Sequence, residues 1–363
     1  MPASIFRAAA LAAGILATLA TSPASGFDGL ERILRMVPAL DPAKRVALLS
    51  YARLNEAMDG AVRGVDTGGV AEAYHLKDEF RGLFGVDITE LREQAIIGEP
   101  PSTLTYVVLD RARIDELTAA LRKRGFEREV IGVHHVYVRG VDYGFDMRNR
   151  RPADPFGGAL GASQRILVRD DAIVVARGWP DMRAAMAALD GARPPVTAVL
   201  AAAIPALRDA VGPGAVASQA VLYGVPAFAG ATLDRETMDA IMAGRAPSLP
   251  RSPPGGGMPP FVAAWLVAGV HGKNAFAAIA AIYVDEDSAR RGASAIAHRL
   301  KEFRPGDGPT PTYEVKISPA DSAWVGVVIA RFADQPLASG VSMLSRWHGA
   351  VNARAFTPLD PLR

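Results

Sequence analysis

The stretch IGVHHVYVRGVDYGFD sets two histidines, His134 and His135, just ahead of Tyr137, Asp142, Tyr143 and Asp146. Imidazoles can ligate or carry protons, carboxylates can accept them, and tyrosines can stack and hydrogen-bond. These residues form the candidate binding set. Side chains alternate along a strand, so His134 and His135 point to opposite faces and cannot share a metal ion unless a bulge intervenes. No metal site is assigned to them, and solvent-facing hairpin positions are the plain alternative. The loop that follows, GVDYGFDMRNRRPADPF, is long and rich in Asp, Arg and aromatics, a composition that suits a functional loop.

Other chemistry-bearing patterns are missing from the sequence. It holds no G-x-S-x-G elbow, no H-E-x-x-H, no P-loop and no S-x-x-K. The glycine-rich GGALG at Gly157–Gly161 lacks the spacing of a dinucleotide fingerprint. The acidic triplet Asp285–Asp287 invites a Mg²⁺ or Ca²⁺ reading. An EF-hand would need Glu where Ile296 stands, and helix capping accounts for the triplet better. The remaining histidines, His75, His271, His298 and His348, are scattered. There is no cysteine, which removes disulfides, thiolate metal sites, thiol nucleophiles and a lipoprotein anchor. No cofactor is implied.

The elements that would position the candidate set can be read from hydrophobic period. Phe261 to Val284 is long and apolar enough to suggest a membrane span, but Lys273 and Asn274 would sit at its centre. A central Lys costs about 2.5–3.5 kcal/mol on insertion scales. Gly269 and Gly272 bracket that polar centre, so the stretch reads as a buried β-hairpin, with no transmembrane span. Its many alanines make sense if another element packs closely against one face. Apolar residues Ala289, Ala293, Ile296, Ala297 and Leu300 then switch to helical spacing behind the acidic cap.

The same grammar occurs earlier. A strand ending at Asp110 precedes a helix through Ile114, Leu117 and Leu121. Val86–Pro101 resembles Leu233–Pro247, each reading as an Asp-started short helix stopped by Gly98 or Gly244. VVAR at Val174–Arg177 and VIAR at Val328–Arg331 each end a strand before a helix. Three matches in one order point to an internal duplication with a long period. The expected fold is α+β, in two related modules at 27–212 and 213–363. Each would be an antiparallel or mixed sheet covered by helices on one face, loosely ferredoxin-like. In TYEVKI the alternation of Tyr313, Val315 and Ile317 with charged residues supports a one-sided sheet. The Pro/Gly-rich segment Arg245–Pro260 reads as a surface loop.

Residues 1–26 have a secretory layout: Arg7, an apolar run Ala8–Ala20, and the small residues Ala24, Ser25 and Gly26. Cleavage near Gly26 would release the chain into a bacterial periplasm or medium. The 40 Lys and Arg against 38 Asp and Glu leave +2, which excludes a strongly basic nucleic-acid surface. Basic runs such as Arg148–Arg151 and Arg122–Arg124 lack interleaved aromatics and read as solvated. The sequence therefore favours an exported, non-catalytic binding or interaction protein whose ligand or partner it does not name. A secreted hydrolase with a loop-built site is the alternative.

Overall fold

The apolar run at Phe261–Val284 folds back on itself. In the computed structural model, β9 (Ala263–His271) and β10 (Asn274–Tyr283) pair antiparallel, with Asn274 opposite His271 and Gly272–Lys273 at the turn. Among the described residues no helix is long and apolar enough to cross a membrane. The structure describes residues 26–38, 40, 47–57, 69–109, 113–192, 195–224, 227–228, 258–303, 309–353 and 355–360. Residues 1–25 of the leader expected at 1–26, Asp110, the segment Leu233–Pro247 and most of the Pro/Gly-rich loop lie outside them.

The hairpin is part of one sheet of twelve strands, ordered β11-β12-β10-β9-β8-β1-β2-β3-β7-β6-β5-β4. The other strands are β1 (Ala47–Arg53), β2 (Glu93–Glu99), β3 (Ser102–Val108), β4 (Glu127–Ile131), β5 (His134–Arg139), β6 (Gln164–Val168), β7 (Ala172–Ala176), β8 (Ala215–Gly224), β11 (Thr312–Ala320) and β12 (Ala323–Phe332). All its ladders are antiparallel. The α+β class is as expected. The expectation of helices on one face is not, because the sheet is covered on both.

Alternate residues of the hairpin show why. Trp265, Val267, Phe276 and Ile282 join α1 (Asp28–Leu34), α6 (Trp179–Leu189) and α7 (Pro195–Val211) in a cluster that runs along one face. Trp265 also donates its indole N–H to the Leu200 carbonyl of α7 at 3.0 Å. Leu266, Ala268, Ile279 and Tyr283 face the other side, under α8 (Glu286–Glu302) and α9 (Leu337–Asn352). A strand buried on both sides reads as continuous apolar sequence, and this one was long enough to resemble a span. The alanines let the helices come close. A Cβ on Gly340 of α9 would lie 2.4 Å from the Phe276 carbonyl oxygen, so helix and strand meet almost backbone to backbone. Toward β4 this second face is filled by α3 (Val70–Tyr74), α4 (Lys77–Phe84) and α5 (Ile114–Lys123), through Phe80, Phe84, Leu117 and Leu121.

The sheet reads alike outward from its centre, where β1 and β8 pair. One arm runs β8-β9-β10-β12-β11 and the other β1-β2-β3-β7-β6, with β5-β4 added at its end. In each arm a helix (α8 or α5) leaves the third strand, and a hairpin follows (β11–β12 or β6–β7). The second strand of that hairpin lies beside the third strand. The matched tetrapeptides therefore fall on corresponding strands, β7 and β12. Their residues do not correspond one for one. Val174 and Ala176 face the cluster shared with α7, whereas Val328 and Ala330 face α8 and α9. A one-residue slip turns every side chain over, so VVAR and VIAR are matched one residue out of step.

Two helix expectations divide. Asp285 caps α8 as read, accepting from the Ser288 backbone N–H at 2.7 Å and from its hydroxyl at 2.9 Å. Asp87 also caps, with its Glu90 box partner, but only the single 3-10 turn Ile88–Glu90. The rest of that expected helix is β2, and Gly98 lies inside the strand. A capping box before an apolar run normally announces a helix. Here pairing with β1 and β3 sends Ala95 and Ile97 into the core and overrides it.

Candidate functional site

The strands that carry the candidate residues are those found in one arm only. β4 and β5 form a hairpin turned at Gly132–Val133, with Ile131 opposite His134. β5 then pairs β6, with Arg139 opposite Gln164, so residues 140–163 form one long hairpin connection. Two residues would have closed that turn. The longer connection is folded by its own contacts. Phe145 bridges Ala162, and the Asp146 N–H reaches the Gly161 carbonyl at 2.7 Å. Gly161 has φ +66°, and a Cβ there would sit 2.1 Å from the Asp146 carbonyl oxygen. The glycine-rich GGALG thus serves a close backbone crossing.

The structure distributes the candidate residues among separate tasks. His134 is buried, with Nε2 2.9 Å from the Asp190 carboxylate at the C-terminal end of α6. His135 points the other way into solvent, where the Arg128 Nε donates to its Nδ1 at 3.1 Å. The two imidazoles do not converge, as alternation required, but His134 is not the solvent-facing residue expected. Tyr137 is 3% exposed in the core beside Leu121 and Ile166, so its ring offers no surface to a ligand. Asp142 accepts from the Trp179 N–H at 3.1 Å, at the start of α6, and pairs with Arg165 at 2.7 Å. The Tyr143 hydroxyl donates to Asp181 at 3.1 Å on the first turn of the same helix. Burial and this carboxylate both push the phenol up from its ordinary value. Asp146 accepts from the Arg148 N–H at 3.0 Å and the Asn149 amide at 2.8 Å, closing a local turn. Asp142, Tyr143 and His134 therefore tie both ends of α6 to the added hairpin and its connection.

What the connection does enclose is a small open pocket lined by Arg139, Gly140, Val141, Gly144, Phe145, Asp146, Asn149, Gly161, Ala162 and Ser163. Of the expected set only Asp146 lines it. The chemistry that sequence reading missed is a group of arginines behind it. Asp154 is fully buried, 2.6 Å from Arg124, with Gln164 donating to its two oxygens at 3.1 and 3.0 Å. Arg139 bonds the Gln164 carbonyl oxygen at 2.5 Å and lies over the Phe126 ring at 4.6 Å. Arg165 is 3% exposed and also reaches the Gly140 carbonyl at 2.9 Å. Arg177 stacks on Phe145 at 4.3 Å, and its Nε and Nη2 are shielded from solvent without a hydrogen-bond partner. Arginines at the ends of α5, β5 and β7 look like surface charge in sequence; only the sheet order brings Arg124, Arg139 and Arg177 to the connection. Among the described residues, no group of three or more His, Asp or Glu could hold a metal ion.

No protein-family model matches this chain, and no curated protein matches it. Solved structures of TP0453 do resemble it in part. Crystal form III aligns over 86% of this chain and 98% of that one, with a TM-score of 0.36 and 9% identity. Crystal form I aligns over 85% and 98%, with a TM-score of 0.32 and 10% identity. A likeness this weak carries no argument about function.

Proposed function

We propose that this is an exported, non-catalytic binding protein whose ligand sits in the pocket of the β5–β6 connection. The observation that carries this reading is that the pocket belongs wholly to an elaboration present in one arm of an otherwise repeated sheet. Large exposed apolar side chains concentrate in the added hairpin and its connection: Val141 and Phe145 line the pocket, Met147 and Leu160 stand on the same connection, and Val130 and Val133 lie at the other end of β5, against Val315 alone elsewhere among the described residues. Exposed apolar groups concentrated in one region are a usual mark of a contact surface.

The reading includes an origin and a destination. The two arms descend from a duplicated unit in which a ferredoxin-like split strand–helix–strand is preceded by a strand pair. The shared strand order supports this, and the offset tetrapeptides argue that the copies have drifted. Export is supported by the leader pattern at 1–26, and N-terminal sequencing of the periplasmic protein should find it removed.

A small-molecule screen by thermal shift, followed by amide NMR on the hits, tests the function. A ligand that raises the melting temperature should move the amide signals of Gly140, Gly144 and Gly161. Hits that bind only elsewhere, or turnover of ester, peptide or glycoside substrates, would overturn the reading.

A further inference from the structure

We infer that the β5–β6 pocket takes a small organic anion, a carboxylate or a phosphate monoester, with its charge on Arg139 and its apolar part against Phe145 and Val141. This rests on the proposed binding function and adds the chemistry of the ligand.

The charge balance at the pocket favours an anion. The Arg139 side chain is 15% exposed, and the carboxylate it approaches, Asp154, is 4.0 Å away. Asp154 is already held at 2.6 Å by Arg124. The close partner of Arg139 is the neutral amide of Gln164. One neighbouring carboxylate, Asp146, keeps its charge in the pocket wall because its donors are neutral. Asp142 is paired with Arg165, and Asp146 is occupied by the Arg148 N–H and the Asn149 amide. With Arg124–Asp154 and Arg165–Asp142 as balanced pairs, Arg139 in the pocket wall and Arg177 stacked on Phe145 outnumber the Asp146 carboxylate by one. Burial first, and then repulsion from Arg124, pull the Arg139 guanidinium below its ordinary value. A cation entering here would add to that repulsion. A carboxylate or phosphate would relieve it through a charge-assisted, fork-shaped contact.

The walls specify the rest of the ligand. Phe145 is 58% exposed and Val141 76% exposed, and both line the pocket. A hydrocarbon or aryl group laid across them would leave water as the anion binds. An inorganic ion would leave these side chains wet, so an anion with an apolar body fits better than phosphate alone.

The test uses the full mature protein with octanoate, octyl phosphate, octanol, inorganic phosphate and phosphatidylglycerol vesicles as probes. Calorimetry gives the affinity, and the amide signals of Gly140, Gly144 and Gly161 locate it. Octanoate or octyl phosphate should saturate and move those signals, with octanol weaker by about tenfold or more. Arg139→Gln should lose about the same factor and Arg139→Lys recover part of it. Phe145→Ser, at an exposed position, should weaken the octyl ligands while the fold stays intact, and it decides the matter should Arg139→Gln fail to fold. Octanol binding as well as octanoate at the same amides would overturn the anion and leave the binding function standing. A response to vesicles alone would overturn the small ligand in favour of a lipid surface. No response to any probe would overturn this inference, and only an empty wider screen would take the binding function with it.

Discussion

Two hairpins in this protein share a turn and differ in almost everything else. β9–β10 reverses at Gly272 with φ +61°, and β4–β5 reverses at Gly132 with φ +60°. Along β10, Ala275 to Tyr283 are all fully buried, whereas β4 is exposed from Glu127 to Val130. The local chemistry of reversal is the same; the place in the sheet is not. β9–β10 lies between β8 and β12 with helices on both faces, while β4 is the outermost strand of its arm. A hairpin's formation is thus a local matter and its role a tertiary one. The buried hairpin holds the sheet together, and the marginal one carries the long connection.

The largest effects should separate the two. Trp265→Ala empties a fully buried indole site and should cost about 3–5 kcal/mol by chemical denaturation. Val130→Ala on β4, 61% exposed, should stay within about 0.5 kcal/mol. Equal losses would break the comparison.

The edge arm should show one exception. Asp154→Ala strips the paired charge from the mostly shielded Arg124 and should cost about 3 kcal/mol, although it lies in a loop. A near-neutral result would mean that the arginine group is not held by this carboxylate and that the pocket floor is softer than described. Next in size, Asp142→Ala removes the ion-pair partner of buried Arg165 as well as an acceptor at the start of α6, and should cost about 2 kcal/mol. Hydrogen exchange should quicken in the first turn of α6 and not in α9, which follows the corresponding strand and has no side-chain cap.

The smallest expected effect is one of pH. The Thr89 backbone N–H, together with Arg81, holds the Asp87 carboxyl below its ordinary value. A lowered folded value gives stability that is present above the unfolded carboxylate range. It is lost as pH falls through the folded value. Asp87→Asn should therefore flatten that acid limb slightly while leaving neutral stability of the β9–β10 region unchanged. An unchanged acid limb would remove Asp87 from the account.

Much of the frame was legible in residue order, because it depends on neighbours in the chain. Gly272 beside Lys273 and Asn274 turned an apparent span into a hairpin, and Asp285 ahead of Ser288 capped a helix. The alternation of His134 and His135 kept them apart. In TYEVKI the period was also right, with Tyr313 and Ile317 packed against the core. Val315 remains 40% exposed because β11 is an edge, which no local pattern reveals.

The sequence by itself determined the reversals, the caps and the apolar period, since each is an interaction over a few residues of chain. It could not show that both arms join in a single sheet through β1 and β8, that β2 would be drawn out of an apparent helix, or that helices would cover both faces. Nor could it show that Arg139 would line a pocket with the Arg124–Asp154 pair beside it while Tyr137 sank into the core. Those outcomes depend on which strands pair across long stretches of chain. Strand pairing is settled by the burial and hydrogen bonding of the whole sheet, not by any segment alone.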